Sequence, residues 1–394
     1  MRCNTFLKAG GIITFVTIFI MATTGLVTAK DPNTLFIGTV LDFASYSAPF
    51  DVPADEGVRL AVDEINAAGG IGGKYKIKLA VKDYRGEAGP AIAGTKELLA
   101  DGVDVVLGSG SVQATIVVGG LTKKKEVPII TITASGPDIP KVIGPYGFTN
   151  TITDNRQGTV LAQYAVSQGH KTAYILRCPD DPYTDLLPVY FAKVFEKMGG
   201  KIVGTGTWSF SQQEFSVEVG KIKKLDTQPD VIMSAAFGPF FAGLVTSLRS
   251  AGIKGAYFGS DVVDEPSSIG LGPVAEGVVF VSAVFPAPGS AMEAFNQKYQ
   301  KKYGKENTVA PPALGYDAVK LVEAAVLKAG STNGKAIRDA LDSLKDVQGA
   351  SGKLTYAGGG RHIMRNVAVC KIQDGKKTLV KWVNPALTDI PEPE

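Results

Sequence analysis

Histidine and cysteine are scarce in this chain, with two of the first and three of the second among 394 residues. His170 and His362 lie far apart, and neither has a partner at the spacing of a metal site. Chemistry of the Ser-His-Asp or Cys-His kind would have to rest on one of them alone. His170 falls in the helix-to-strand turn Gln168-Gly169-His170-Lys171 and reads as a solvated turn residue. The expectation is a non-enzyme with no catalytic residue, no metal and no cofactor. Charge of one sign is also in short supply. Lys and Arg number 41 against 38 Asp and Glu, a formal net charge of +3. A near-neutral surface argues against a nucleic acid and against a strongly anionic membrane as partner. Past the first 29 residues no stretch is apolar and long enough to span a bilayer.

The first 29 residues have the three parts of a secretory signal peptide. Arg2 and Lys8 give a basic start, 11–21 an apolar core, and Val27-Thr28-Ala29 a small-residue exit. The core is short and diluted by Thr and Gly, which favours cleavage over the other reading, an uncleaved anchor. Cys3 precedes the apolar core and is not placed to be a lipoprotein cysteine. Removing Arg2 and Lys8 with the leader lowers the formal charge from +3 to +1. Cys178 and Cys370 remain, in the strand-like runs 172–178 and 367–370. A buried free thiol is the expectation for each, although an exported protein permits a disulfide.

Strand and helix patterns alternate along the mature chain. An apolar run at 35–41 precedes a helix at 53–68, where Val58, Ala61, Val62 and Ile65 share one face. Asp51 is expected to cap that helix, Pro53 to lie in its first turn, and Gly69-Gly70 to stop it. Tyr75, Ile77, Leu79 and Val81 alternate with lysines as a half-wet strand. A helix at 88–100, a strand at 103–107, a helix at 113–124 and a strand at 127–133 follow. After a Gly- and Pro-rich loop at 135–147 the alternation restarts, with helices at 156–168, 186–198, 214–225 and 240–251. Strands at 171–176, 201–208, 231–236 and 256–258 lie between them. Helices at 292–303, 312–328 and 334–344 then come in succession, before strands at 366–372 and 378–383. Two α/β sets of this kind predict two doubly wound parallel-sheet lobes.

Asp63-Glu-Ile-Asn-Ala-Ala-Gly-Gly-Ile-Gly-Gly73 resembles the helix-end signature of periplasmic leucine/isoleucine/valine-binding proteins, the solute-binding subunits of branched-chain amino-acid ABC importers. Asp83, Val106-Leu-Gly-Ser-Gly-Ser111, Pro128-Ile-Ile-Thr-Ile-Thr-Ala-Ser135 and Asp154-Asn-Arg-Gln-Gly158 fit the family in order, so that the resemblance covers essentially the whole mature chain. The Gly-Gly-Ile-Gly-Gly-Lys segment follows a helix rather than a strand and so lacks the context of a phosphate loop. The family fold is the type I periplasmic binding protein, two lobes joined by a three-crossover hinge. The resemblance implies one lobe from 31–149 plus 281–352, a second from 151–279 plus 354–383, and a tail at 384–394.

A ligand in doubly wound sheets belongs at the carboxyl ends of strands beside helix N-termini. Gly108-Ser-Gly-Ser111 before a helix, and Thr131-Ile-Thr-Ala-Ser135 at another strand end, offer amides and hydroxyls for a carboxylate. The resemblance carries ligand-binding roles to Ser111, Thr133 and Ser135, with local backbone hydrogen bonding as the alternative. From the second lobe it points to Tyr183 as a residue closing over the ligand and to Asp261 as the acid pairing with an α-ammonium. Phe237 stands where many relatives place a tyrosine. The alternatives are helix packing for Tyr183 and a turn cap for Asp261. The first strand runs into Leu41-Asp-Phe-Ala-Ser-Tyr46 instead of a Pro-Leu-Ser-Gly-type loop. Tyr46, Phe50, Tyr84, Phe237, Phe240 and Phe241 make an aromatic rim possible, and Arg177 at a strand tip is a further candidate for meeting a carboxylate.

The resulting expectation is a periplasmic, monomeric solute-binding protein. It closes on a small carboxylate-bearing ligand, an apolar or branched-chain amino acid, and delivers it to the permease subunits of an ABC importer. Two alternatives stay open: an aromatic carboxylic acid as ligand of the same kind of transporter, and ligand sensing for a membrane receptor.

Overall fold

A computed structural model describes residue 1 and residues 31–393. The signal-peptide reading falls on residues outside that range. The chain divides into a short unit, Met1–Pro32, and a main unit, Asn33–Glu394, which carries the fold. No helix among the described residues is long and apolar enough to cross a membrane.

The first sheet is built from β1 (Thr34–Leu41), β2 (Lys76–Asp83), β3 (Val105–Gly108), β4 (Ile129–Thr131) and β5 (Gly147–Thr149). Its order is β2-β1-β3-β4-β5 and its described pairings are parallel. Between the strands run α1 (Ala48–Ala67), α2 (Ala88–Ala100), α3 (Val112–Thr122) and the short α4 (Ile139–Ile143). β3 and β4 are buried throughout, as expected of parallel strands covered on both faces.

The chain then enters the second sheet through α5 (Asp154–Ser167), β6 (Thr172–Arg177), α6 (Pro182–Lys197), β7 (Lys201–Thr207), α7 (Ser216–Lys223) and β8 (Val231–Ser234). α8 (Gly238–Ser250), β9 (Ala256–Phe258), α9 (Pro266–Ile269) and β10 (Val279–Ser282) follow. It returns for α10 (Ala291–Tyr303), α11 (Pro311–Ala329), α12 (Gly334–Asp342) and the hairpin β11 (Val347–Gly349) and β12 (Gly352–Leu354). β13 (Val367–Gln373) and β14 (Lys376–Val383) finally complete the second sheet, ordered β14-β13-β10-β9-β8-β6-β7. That sheet is parallel except where β13 pairs antiparallel with β10 and β14. The fold is thus two doubly wound lobes with three crossings between them.

α11 packs lengthwise on α1, which ties the late helices to the first sheet. The two backbones approach so closely that a Cβ on Gly57 would lie 1.8 Å from the Pro312 carbonyl, and one on Gly315 2.0 Å from that of Ala54. Only glycine fits at either point.

Helix α1 begins earlier than the sequence pattern indicates, at Ala48 with Ser47 before it. Asp51, the expected cap, is inside the helix and fully buried, where its carboxylate accepts the amides of Asp42 and Gly110 at 2.9 Å each. Gly70 does stop the helix, its amide bonding back to the Ile65 carbonyl at 2.8 Å. Cys178 and Cys370 are both free and buried.

The strand orders locate the site. In the first sheet the chain leaves β1 to one side for β2 and to the other for β3; in the second it leaves β6 for β7 and then for β8. Each reversal opens a crevice at the carboxyl ends of the flanking strands.

Candidate functional site

A cavity of about 1000 Å3 opens over both crevices. Of the sequence-predicted residues, Ser111, Thr133, Ser135, Tyr183, Phe237, Asp261, Tyr46 and Tyr84 all line it. Arg177 does not. Its guanidinium is spent on Asp185, with Nε 2.9 Å from Oδ1 and Nη2 3.0 Å from Oδ2. Phe241 also turns away, buried completely against Tyr257. His170 packs edge-on against Phe258. His362 is half-buried beside the Thr149 hydroxyl at the first crossing, and burial holds its imidazole down at about 4. No group of His, Cys, Asp and Glu among the described residues is placed to hold a metal.

Apart from Glu87, the polar groups on the wall from the first sheet are neutral. Ser111 caps α3, its Oγ accepting the Ala114 amide at 3.2 Å and the Tyr46 hydroxyl at 2.8 Å. The earlier first-turn amides have no intrahelical acceptor and carry the positive end of the helix dipole. Tyr84 bonds Ser109 at 2.9 Å, and Ser109 Oγ accepts the Ser111 amide, which fixes the turn. Thr133 Oγ1 is buried with no partner. It faces Gly110, where a Cβ would come within 2.8 Å of that hydroxyl, so a side chain there would push into it.

Behind this wall two aspartates hold the loop that carries Tyr46. Burial pushes Asp42 up, but bonds from the Ser45 hydroxyl and from the amides of Ala44, Ser45 and Ser47 outweigh it and leave the carboxyl below its usual value. Asp51 has fewer donors for deeper burial and is pushed up to about 6.

The wall from the second sheet is acidic and aromatic. Asp261, half-buried after β9, is held in place by Gln157, whose Oε1 accepts the Asp261 amide at 3.0 Å. The Tyr183 hydroxyl lies 2.7 Å from Asp261 Oδ1 and 2.7 Å from Ser260 Oγ. Burial raises Asp261 to about 6, with the Tyr183 and Gln157 hydrogen bonds opposing it. Tyr183 is pushed well above its usual value by burial and by that neighbouring carboxylate. The cavity lining contains no lysine or arginine. Asp264 also lines it, but its charge is matched from behind by Lys377 at 2.6 Å.

Residues that the sequence pattern does not single out complete the picture. Phe210, after β7, lines the cavity with Phe237 and Phe240. Gln113 of α3 reaches across to Asp181 on the opposite wall. Asp154, at the start of α5, is buried beside Ser135 with one oxygen unpartnered, and burial raises it well above its usual value. Its first-turn position is that of an ordinary helix-start acid. Phe210, just past a strand end like Phe237, carries the clearest signal of the three.

A site of this kind can bind a small molecule that has both an anionic and a cationic end. The model of a family described as periplasmic binding protein matches residues 34–377. A leucine/isoleucine/valine-binding protein homologue of Brucella melitensis is 26% identical over 360 residues, covering 90% of this chain and 95% of that one. Among solved structures, the branched-chain amino-acid transporter substrate-binding protein LivJ of Streptococcus pneumoniae, in complex with isoleucine, is 26% identical with a TM-score of 0.78, and the match covers 89% of this chain and 100% of that one. A solute-binding protein of Rhodopseudomonas palustris in complex with 3,4-dihydroxybenzoic acid is 22% identical with a TM-score of 0.78, over 92% of this chain and 99% of that one.

Proposed function

This chain belongs to the periplasmic binding protein family, and we propose that it captures an apolar amino acid in the periplasm and hands it to the permease of an ABC importer. Solute binding for an ABC transporter is the general role, with a small molecule and permease subunits as partners. The finer reading rests on one observation above the rest. Asp261 is an acid in the cavity lining whose hydrogen-bond partners are neutral, and no cation lines the space in front of it. An α-ammonium supplies the missing charge, and a charge-assisted hydrogen bond there is stronger than a neutral one. The α-carboxylate takes the α3 N-terminus, with Thr133 and Ser111 as hydroxyl donors.

The same wall supports the second reading less well. Phe210, Phe237 and Phe240 suit an aromatic acid, but a lone carboxylate brings no partner for Asp261. Residues 31–149 with 281–352 act as one lobe, and 151–279 with 354–383 as the other. A ligand touching both favours the closed form by the difference of its affinities for the two states. The protein works as a monomer after loss of residues 1–29.

Thermal denaturation against the natural amino acids and a set of aromatic acids tests this. Ligand at 100 times its dissociation constant stabilises by about 2.7 kcal/mol, a shift of several degrees. Stabilisation by amino acids that disappears in Asp261→Ala supports the reading. Stabilisation by aromatic acids alone overturns it in favour of the second.

A further inference from the structure

We infer that the side chain this cavity accepts is aromatic, and that Phe210, Phe237 and Phe240 form its subsite. This rests on the amino-acid reading of the head-group site above. The Phe210 and Phe240 rings stack at 5.4 Å and 19°, while Phe237 meets both edge-on, at 5.7 Å and 78° and at 5.8 Å and 84°. All three line the cavity, and Phe210 keeps 38% of its surface exposed. They are not the core of their lobe. α8 is anchored there by Phe241, which is fully buried, and Trp208 closes the cluster from behind, 5.2 Å from Phe240 and 2% exposed. A group of rings left open to a cavity offers faces and edges that a further ring completes, whereas an aliphatic chain gains only the burial common to both.

The cluster is held in register with the head-group site. Asp180 accepts the Phe210 amide at 2.6 Å, and three residues on, in the first turn of α6, Tyr183 bonds Asp261. Two further acids of the lining, Asp181 and Glu265, accept hydrogen bonds from neutral groups of the chain. Asp181 accepts the Tyr183 amide at 2.9 Å, and Glu265 accepts the Ser267 and Ser268 hydroxyls at 2.9 and 2.8 Å.

Calorimetric titration of the protein with L-phenylalanine, L-leucine and 3-phenylpropanoate, the last being phenylalanine without its amine, separates the outcomes. Phenylalanine is expected to bind most tightly. Phe210→Ala narrows the preference for phenylalanine over leucine by about 2- to 12-fold, the worth of an aromatic pair. Phe210→Leu, which keeps apolar bulk, narrows it in the same direction. Leucine binding as tightly as phenylalanine, or a preference unmoved in both variants, overturns this inference and leaves the amino-acid reading intact. Tighter binding of 3-phenylpropanoate overturns the amino-acid reading itself, and silence from all three compounds overturns both.

Discussion

At the crossings between the sheets, Asp317 is buried completely but surrounded by partners. It lies 3.8 Å from the equally buried Arg365 guanidinium and accepts bonds from the Ala350 amide and the Ser351 hydroxyl. Arg365 in turn donates to the carbonyl and side chain of Asn150 at 2.8 and 2.9 Å, and Arg156 to the Arg365 carbonyl at 2.8 Å. In the cavity the pattern is reversed. Asp261 faces neutral donors, while Thr133 Oγ1 has no partner and neither has one oxygen of the adjoining Asp154. Unmatched buried groups cost stability. The contrast lies in the carboxylate charges: Asp317 at the crossings has a guanidinium beside it and Asp261 at the cavity has no cation, although Nε of Arg156 and of Arg365 also lacks a partner at the crossings.

Three substitutions can break that contrast. Arg365→Met leaves Asp317 buried and unpaired, and should lower unfolding free energy by about 3–5 kcal/mol, read by urea denaturation. Equal stability of variant and parent would mean that the crossings do not depend on the pair. Asp261→Asn should do the opposite: stability unchanged or slightly raised, with amino-acid affinity lower by about 2–5 kcal/mol because the ligand ammonium loses its counter-charge. Equilibrium dialysis checks the affinity, and a variant that unfolds instead would place Asp261 with the structural acids. Thr133→Val is the smallest test. Removing an unpartnered hydroxyl should leave the melting temperature in place and weaken binding by about 0.5–1.5 kcal/mol; a lower melting temperature with unchanged binding would remove Thr133 from the site.

Elements with a clear pattern and clear stops are legible in the amino-acid sequence. The helix at Ala88–Ala100 and the strand at Ala256–Phe258 fall at the residues their patterns indicate. The start of α1 does not, because an aspartate before a proline looks like a cap whether its carboxylate meets its own helix or, as with Asp51, the Gly110 amide across the fold. α4 and the hairpin β11–β12 lie in short stretches too brief to show a period. The strand-end logic collects most of the cavity wall, since it depends on topology alone. Which neighbour of Phe240 faces the cavity depends on how α8 rolls onto its sheet, and adjacent letters do not report that. Arg177 is lost to Asp185, a partnership made by the turn between a strand and a helix.

The most direct test is the pH dependence of binding for an amino acid and for its deaminated analogue, leucine with 4-methylpentanoate and phenylalanine with 3-phenylpropanoate. Asp261 is raised to about 6 without ligand. Only its ionised form attracts an ammonium, so amino-acid affinity should be level near neutral pH, where the ligand's amine is still protonated, and fall by about tenfold between pH 7 and pH 5. The deaminated acids should change in the other direction, binding better as the Asp261 charge is removed, and Asp261→Asn should flatten both profiles. Amino-acid affinity that passes through pH 6 unchanged, or deaminated acids that bind more tightly than the amino acids at neutral pH, would contradict the assignment of Asp261 to the ligand's ammonium.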